Sequence, residues 1–357
     1  MLGHDFYEGV FAYDIQFYID YIINHEKLLS IDDFNSNLRS IFLSDRDQKN
    51  RPKEFKVRKK DAKYEGNAGS LRVFSRIVAS CLSQQLDCSA VGTLIIKLLD
   101  ISQLITAPKL TLYEIDHLLK DTVYEYLDLR VQAIDELGMS RIRPKHHYMC
   151  HYYELYKFQG PLIHLWAMRM EQKHCFFKGI IRTSKNFKNV TKTCASRHQM
   201  ALLSHHYLGL FPPKFEIPSD ALLCKEMKQY TEDKELLLFL NCVDPSSLIP
   251  TSVKVFGTKY EPGAVVVLGH YTYGEMLVGL IKYLAFYKDK FVLGCSPFKM
   301  KLNKIGHYVA DCGSSRNLVK ILKYEDLADH QPLFRYGTSK TFEIIPHHFV
   351  SSFKRNF

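Results

Sequence analysis

Glu171 is one of only two carboxylates between residues 141 and 200, a window that contains twelve lysines and arginines. On a helix, Glu171 would share a stripe with Lys178 and Arg182. Two chemistries fit this pattern. One is an ordinary helical ion pair with Lys173 or Lys178. The other is a metal-binding carboxylate beside cations that hold phosphates, because metal-assisted phosphoryl transfer needs both.

The net charge of +10 comes entirely from the same window, because the remaining 36 basic and 36 acidic residues balance. A surplus so localised favours a polyanionic partner such as DNA over a general role in solubility. The alternative is a solvated basic face without a partner, since basic patches are common on soluble surfaces. The cations expected to contact nucleic acid are Lys173, Lys178, Arg182, Lys185, Lys188, Lys192 and Arg197.

Histidines upstream of Glu171 have spacings that could bind a metal. His147 and His151 are four residues apart and share a helix face, whereas His146 and His151 diverge by about 140° on an ideal helix. Either pair supplies half of a zinc site, and the chain has no C-x-x-C pair to complete it. A packed, hydrogen-bonded histidine pair in a tyrosine-rich helix is the alternative.

Helices are the elements expected to position these residues. Residues 6–24 are apolar nearly all round a helical wheel, which predicts a helix buried inside a larger body. Ser30 is expected to cap a second helix, and residues 44–69 lack apolar periodicity and predict a long, mobile, charged loop. Further helical patterns cover 70–84, 89–106, 112–136, 165–181 and 190–210.

The sequence changes character near residue 250. Short alternating or β-branched runs follow one another, separated by Gly, Pro and Asp turns. We therefore expect a mixed fold, with a mainly helical region over 1–245 and a small β-barrel over 246–357. Val253, Val255, Val265 and Val267 are expected to form the inward face of this barrel.

The cysteine pattern and the ends of the chain favour an intracellular protein. Nine cysteines, odd in number and scattered, argue against a disulfide framework and for a reducing compartment. No apolar run is long enough to span a membrane. The opening residues "MLGHDFYEGV" carry acids where a signal peptide needs basic residues and an apolar core. The expectation is a soluble protein without a membrane partner.

The stretch "PKHHYMCHYYELYKFQGPLIHLWAMRME" resembles the end of the catalytic domain of CACTA-type (En/Spm-like) DDE transposases, relatives of the antigen-receptor recombinase superfamily. In that superfamily a histidine pair, the second half of a zinc site, precedes the catalytic Glu at the start of a helix. Here His146 and His151 are five apart, and Glu171 follows twenty residues after His151. The resemblance therefore selects His146 with His151 as the zinc half-site.

The opening "LGHDFYEGVFAYDI" is similar to the HD-x-x-EGV segment of the same transposases, with matching residues His4, Asp5, Glu8 and Gly9. Together the two motifs extend the resemblance over roughly residues 2–210. It implies that the helical region is the C-terminal portion of an RNase H-like core. It also implies that the strands on which the first helix packs lie upstream of Met1.

The resemblance makes Glu171 the third carboxylate of a two-metal strand-transfer site. In the family, two catalytic Asp residues and a C-x-x-C precede the HD segment, at which this chain starts, and Asp5 belongs to that segment rather than to the triad. Glu171 is thus interpreted as a remnant of the triad. Zinc or magnesium is expected only if the upstream part is supplied.

These patterns lead to one expectation for function and two alternatives. The expectation is a transposon-derived protein or transposase fragment in the nucleus that binds DNA through a basic helical surface without cutting it. One alternative is a subunit of an active DDE transposase completed by another polypeptide. The other is a protein-interaction module whose β domain binds a partner while the basic helices are merely solvated.

Overall fold

The computed structural model describes residues 2–59, 61–82, 84–272, 274–311, 319–337 and 341–351. Within these ranges only the backbone is described at 45–46, 168–172, 270–272, 311, 336–337 and 341–342. The described chain has a mixed fold, because helices dominate up to residue 241 and antiparallel strands dominate from residue 248 onwards. None of the described helices is both long enough and apolar enough to cross a membrane.

Helix α1 is continuous through three segments, Gly3–Phe11, Ala12–Asp20 and Tyr21–His25, of which the first and third are π-helical. The prediction of a buried helix is confirmed, since Phe6, Phe11 and other apolar side chains on all sides are inaccessible to solvent. Its packing partners, however, are helices of this chain. They belong to the same core cluster as α1. The burial of α1 therefore does not depend on upstream strands.

The remaining helices pack around α1 or lead away from it. Their bounds are α2 Ile31–Ser40, α3 Asp45–Gln48, α4 Ala68–Cys81, α5 Gly92–Ile105, α6 through Leu112–Glu114, Ile115–Leu119 and Lys120–Leu137, α7 Pro144–Met149, α8 Tyr152–Gln159, a 3-10 turn Leu162–Leu165, α9 Met168–Ser184, α10 Val190–Tyr207, α11 Cys224–Tyr230 and α12 Lys234–Asn241. The Ser30 side chain accepts a hydrogen bond from the Asp33 amide, which confirms the predicted N-cap of α2.

The predicted loop over residues 44–69 contains the short helix α3 and is anchored to the helical body. Phe55 and Tyr64 are both buried, and Tyr64 stacks on Phe74 with ring centroids 4.4 Å apart. The Asn35 side chain accepts from the Phe55 amide and donates to its carbonyl. The expected loop is confirmed for residues 51–59 and 61–67, which form neither helix nor strand. It is nevertheless part of the packed structure, because two of its aromatic side chains fill the core.

The strands form two antiparallel sheets. Their bounds are β1 Phe215–Glu216, β2 Leu222–Leu223, β3 Leu248–Ile249, β4 Val253–Val255, β5 Thr258–Tyr260, β6 Val265–Thr272, β7 Glu275–Tyr287, β8 Lys290–Leu302, β9 Tyr308–Asp311, β10 Lys320–Lys323, β11 Asp329–Leu333, β12 Arg335–Gly337 and β13 Thr341–Ile344. The small sheet has the order β1-β4-β5, and the large one β11-β6-β7-β8-β9-β13-β12. In the large sheet, β10 also pairs with β8, β3 with β7, and β2 with β3.

The large sheet is open in the part of the chain that is described. Its path ends at β11 and β12, and no described ladder joins these two strands. Val253, Val255, Val265 and Val267 are all buried, as expected. They nevertheless belong to two cores, because Val266 packs with Val253 on one face of β6 while Val265 and Val267 pack on the other. The single inward face was therefore wrong, since β6 is covered on both faces.

The end of the chain returns to the helical body. Ile345 belongs to the helical core, and Phe349 packs against it while its amide donates to the Gln103 carbonyl. His307 is buried, with Nε2 3.1 Å from the Arg76 carbonyl. The regions 1–245 and 246–357 thus share an apolar and hydrogen-bonded contact.

Candidate nucleic-acid interface

Helices α9 and α10 form a two-helix hairpin, which we call the basic arm (residues 168–207). Lys185 ends α9 in the left-handed conformation, with φ of +48°, and the Asn189 side chain caps α10 by accepting from the Lys192 amide. The helices contact each other through Phe176 and His198, whose ring centroids lie 5.9 Å apart. No residue described from 173 to 207 is buried. The arm therefore lies outside the core.

The arm carries all seven predicted nucleic-acid contacts, and every one of them is at least partly exposed. Lys173 donates to His198 Nε2 at 3.3 Å. The other six form no ion pair with any side chain that the structure describes: Lys178, Arg182, Lys185, Lys188, Lys192 and Arg197.

Cations elsewhere on the surface commonly have a carboxylate partner. Arg39 lies 2.7 Å from Glu54, and Lys254 lies 2.9 Å from Glu216. In the arm, the sequence offers only Glu171 as an acid against eight lysines and arginines. The positive potential of the arm is therefore largely uncompensated within the chain, which is the electrostatic property that attracts a polyanion.

The arm also exposes large apolar side chains between its cations. Phe187 is 73% exposed between Lys185 and Lys188, and Tyr207 is 91% exposed at the end of α10. Exposed rings also occur elsewhere on the surface, for example Phe158, but rings beside cations can contact nucleotide bases or sugars. The cations from Lys173 to Lys185 extend over about 18 Å of α9, which is about half a turn of duplex.

Glu171 lies in the first turn of α9, as the sequence predicts for the residue at the start of a helix. Its side chain lies outside the described part of the structure. The choice between a helical ion pair and a metal-binding carboxylate therefore stays open.

His146 is fully buried and is held at both ring nitrogens. Nδ1 accepts from the Arg143 amide at 3.1 Å, so Nε2 carries the proton and donates to Asp14 Oδ2 at 2.9 Å. A zinc ion at His146 would have to replace one of these hydrogen bonds. The zinc half-site remains a prediction that needs this rearrangement.

Asp14 is the centre of this buried cluster, and sequence reasoning missed it. Its Oδ2 also accepts from the Tyr126 hydroxyl and from Arg130 Nε, and Arg130 is itself fully buried. Burial opposes ionisation of Asp14, but the hydrogen bond from His146, together with the charge of Arg130 and the hydrogen bond from Tyr126, outweighs it and lowers the pKa of the carboxyl. The available signal was a carboxylate flanked by the apolar residues Tyr13 and Ile15 in a mainly apolar helix, because such a group is rarely buried without partners.

His151 lies on the surface, away from the burial site of His146. Its Nδ1 is 3.2 Å from Glu154 Oε2, and its ring contacts His147 edge-on with centroids 5.1 Å apart. The helix is interrupted here, since α7 ends at Met149 and α8 begins at Tyr152. Among the described residues, no group of three or more His, Cys, Asp or Glu side chains is arranged to hold a metal ion.

The residues of the HD segment connect α1 to two other elements. His4 Nδ1 pairs with Glu8 Oε2 at 2.7 Å, and Glu8 Oε1 accepts from the Ala68 amide at the start of α4. A Cβ on Gly9 would lie 2.5 Å from Lys145 Cδ, and Lys145 donates to the His4 carbonyl. The structure thus brings the two motif segments into contact, and these residues position helices.

Asp5 and His151, one from each motif segment, line a small apolar cavity of about 260 Å³ that is otherwise formed mainly by tyrosine and leucine side chains. The cavity offers few polar groups, so it does not resemble a metal or phosphate site.

No protein-family model matches this chain, and no curated protein and no solved structure shows significant similarity to it. The protein is thus described by its own fold and site: it has a mixed helical and antiparallel β fold with an exposed basic arm. The transposase resemblance stays a hypothesis that depends on the two sequence motifs.

Proposed function

We propose that this protein binds nucleic acid through the basic arm, by contacts to the phosphate backbone with little sequence preference. The observation that carries this proposal is the set of six lysines and arginines without ion-pair partners among the described side chains, on a hairpin whose described side chains are all at least partly exposed. Each such cation can replace condensed counterions on a phosphate backbone, and the release of those ions drives binding.

The two motif segments and their order support an origin in a CACTA-type DDE transposase, with an RNase H-like ancestry for the helical region and a nuclear location. In this proposal Glu171 is a remnant of the catalytic triad, and the protein binds DNA without cleaving it. The contact between the motif segments at Gly9 and Lys145 supports a shared structural role for them.

The test measures binding of the full chain to a duplex labelled with a fluorophore, by anisotropy over a range of salt concentrations. The arm variant replaces Lys178, Arg182, Lys185 and Lys188 with Gln. We expect it to bind more weakly and to reduce the magnitude of the log–log salt slope by about 0.9 for each phosphate that is no longer neutralised. A single-stranded probe of the same length shows whether the exposed rings favour unpaired bases.

The matched control replaces four exposed lysines outside the arm with Gln: Lys225, Lys234, Lys290 and Lys323. It removes the same charge from the chain and should leave the salt slope unchanged. An equal loss of affinity in both variants would mean that net charge, and not the arm, determines binding. Unchanged binding in the arm variant would favour a protein-interaction module.

Glu171→Gln tests the alternative of an active transposase subunit. In-line transfer by two metals needs several converging carboxylates, and the resemblance assigns only one of them to this chain. We expect no magnesium- or manganese-dependent cleavage of DNA by the full chain, in either form. DNA cleavage by the unmodified protein that is abolished in Glu171→Gln would favour an active transposase subunit over a protein that only binds DNA.

A further inference from the structure

A cavity of about 680 Å³ lies between the helical body and the C-terminal strands, separate from the basic arm. Its walls come from three parts of the chain. Asp47, Arg72 and Arg76 belong to the helical body, His164 and Trp166 precede α9, and His347 follows β13. A cavity of this size can hold a small-molecule ligand.

The helical wall of the cavity is cationic. Arg72 and Arg76 are four residues apart on α4, so both guanidinium groups extend from one face of the helix. Arg76 is 7% exposed, and its Nη2 donates to Asp47 Oδ2 at 2.8 Å. Its Nε is buried and has no acceptor among the described atoms. An unsatisfied donor is unusual for a buried polar group, but this atom is closed to solvent, so Arg76 lines the cavity through its other atoms.

Donors dominate the polar lining. Asp47 is the only carboxylate in the described lining, and Arg76 already occupies it. Arg72 and the His164 imidazole add polar groups that can donate to a ligand, whereas His347 Nε2 lies 3.3 Å from the Pro332 carbonyl. The ligand that complements such a lining is rich in acceptors and negatively charged, and guanidinium groups are suited to phosphate oxygens.

Trp166 limits what else the ligand can contain. Its ring stacks on Tyr7 with centroids 5.4 Å apart, and the Arg72 guanidinium carbon lies 5.5 Å from its centroid. A ring with these two neighbours is a poor platform for a nucleobase. Recognition in this cavity is therefore of the phosphate group and not of an aromatic base.

We propose that this cavity is a binding site for a phosphate group, with Arg72 and Arg76 as the principal contacts. The phosphate belongs either to a small phosphorylated molecule or to the end of a nucleic-acid strand. The site does not depend on the proposed function of the arm, because none of the arm's residues lines it, although His164 and Trp166 directly precede α9.

Trp166 provides the assay, because it is the single tryptophan of the chain and lines the cavity. Inorganic phosphate is titrated into the full chain that carries the four-residue arm substitution, so that anion binding by the arm does not contribute. Chloride at equal ionic strength is the reference. We expect a saturable change of tryptophan fluorescence with phosphate, with a dissociation constant at or below about 1 mM. No saturable change would overturn the proposal.

Arg72→Gln removes one of the two guanidinium groups from the site and should weaken phosphate binding on the order of tenfold. Arg39→Gln is the control, since Arg39 is an exposed arginine of the same helical body paired with Glu54. If Arg72→Gln fails to fold by circular dichroism, Arg76→Lys replaces it. Equal phosphate affinity in a folded site variant and in the control would contradict the assignment.

Three further probes distinguish the sources of phosphate. A nucleoside monophosphate tests a small molecule, and a short single strand with a 5′-phosphate is compared with the same strand carrying a 5′-hydroxyl. A response that needs the 5′-phosphate identifies the strand end. A response to the monophosphate and not to either strand identifies a small molecule. Absence of any response to all three would contradict the proposal.

Discussion

Asp14 and His146 are separated by 132 positions in the chain, yet their hydrogen bond connects α1 to the start of α7. Asp14 accepts from three side chains at once, and each of those donors is buried. A buried carboxylate with this many donors stabilises the fold only as long as all of them are present, because a partner left alone keeps an uncompensated polar group or charge. His146 therefore serves, in this structure, to fix the position of the motif segment.

Asp14→Asn should destabilise the chain by about 3–5 kcal/mol, because it leaves the buried Arg130 guanidinium without its counter-charge. Urea unfolding followed by circular dichroism measures the change. Asp20→Asn is the matched control on the same helix, where the substitution weakens an exposed hydrogen bond to Asn24. The control should cost about 0.5 kcal/mol or less. Similar destabilisation in both variants would mean that the buried cluster around Asp14 contributes no more to the free energy of unfolding than an exposed hydrogen bond does.

Asp100 is a half-buried carboxylate, and its pKa shifts in the opposite direction to that of Asp14. Desolvation raises its pKa to about 6, and the nearby Lys97 lowers it only in part. Because the folded-state pKa lies above the unfolded value, the folded state binds this proton more tightly. Stability from this group therefore increases as pH falls through 6 and is complete below the unfolded pKa of about 4.

Asp100→Asn should consequently stabilise the protein at neutral pH, by no more than about 3 kcal/mol, because it removes a charge that burial disfavours. The gain should disappear below a pH of about 4, where the carboxyl is protonated in both states. Thermal unfolding of both proteins from pH 4 to pH 8 measures it. A gain that is independent of pH would show that the charge of Asp100 is not the cause.

The basic arm differs from the core helices of the structure in how it is held. Helices α4 and α5 each bury nine or more residues, whereas α10 buries none. Helices in water owe most of their stability to packing of an apolar face, so a hairpin without a buried face is marginal on its own. The arm therefore has the low local stability that is common in segments that become ordered by binding.

Amide hydrogen exchange tests this property of the arm. Residues 173–207 should exchange rapidly in the free protein, while α4 and α5 stay protected. Addition of duplex DNA should slow exchange in the arm and leave the core unchanged. Strong protection of the arm in the free protein would indicate that the arm packs against another surface. Unchanged exchange of the arm after addition of DNA would show that the arm does not contact the DNA.

At the scale of the whole molecule, the two regions of the chain depend on each other. Ile305, Ile345 and Phe349 lie in the C-terminal region but pack on the helical core, and the phosphate cavity lies along the same boundary. A β region that folded in isolation would still leave these side chains exposed.

A fragment of residues 1–245 should therefore be less stable than the full chain, by about 2–5 kcal/mol, because it lacks the apolar cover provided by these three side chains. Thermal unfolding of the fragment and of the full chain, followed by circular dichroism at a wavelength that reports helix content, measures the difference. The fragment of residues 246–357 should retain strand signal, since two cores of the β region are formed by its own strands apart from Phe215, while a third core needs Cys224, Phe239 and Leu240 of α11 and α12. An unfolded 246–357 fragment would contradict the proposed division into two regions.

Local patterns in the sequence were sufficient for several features. The buried first helix, the Ser30 cap, the change to strands near residue 250 and the exposed cations of the arm each depend on neighbouring residues. Periodicity, capping and charge clustering act over a few turns of chain, so they can be recognised without knowledge of the packing. The same reasoning could not show that Phe55, which lies in a loop, belongs to the core, because its burial comes from Phe34 of α2 and other distant residues.

Only the tertiary structure decided which distant residues meet. Asp14 with His146, Gly9 with Lys145, and Arg76 with Asp47 and His307 are contacts between segments that share no local pattern. The two covered faces of β6 likewise follow from elements packed on both sides of the sheet. The physical reason is that burial and pairing of a side chain depend on what other parts of the chain place beside it, and close packing determines that only when the whole core has formed.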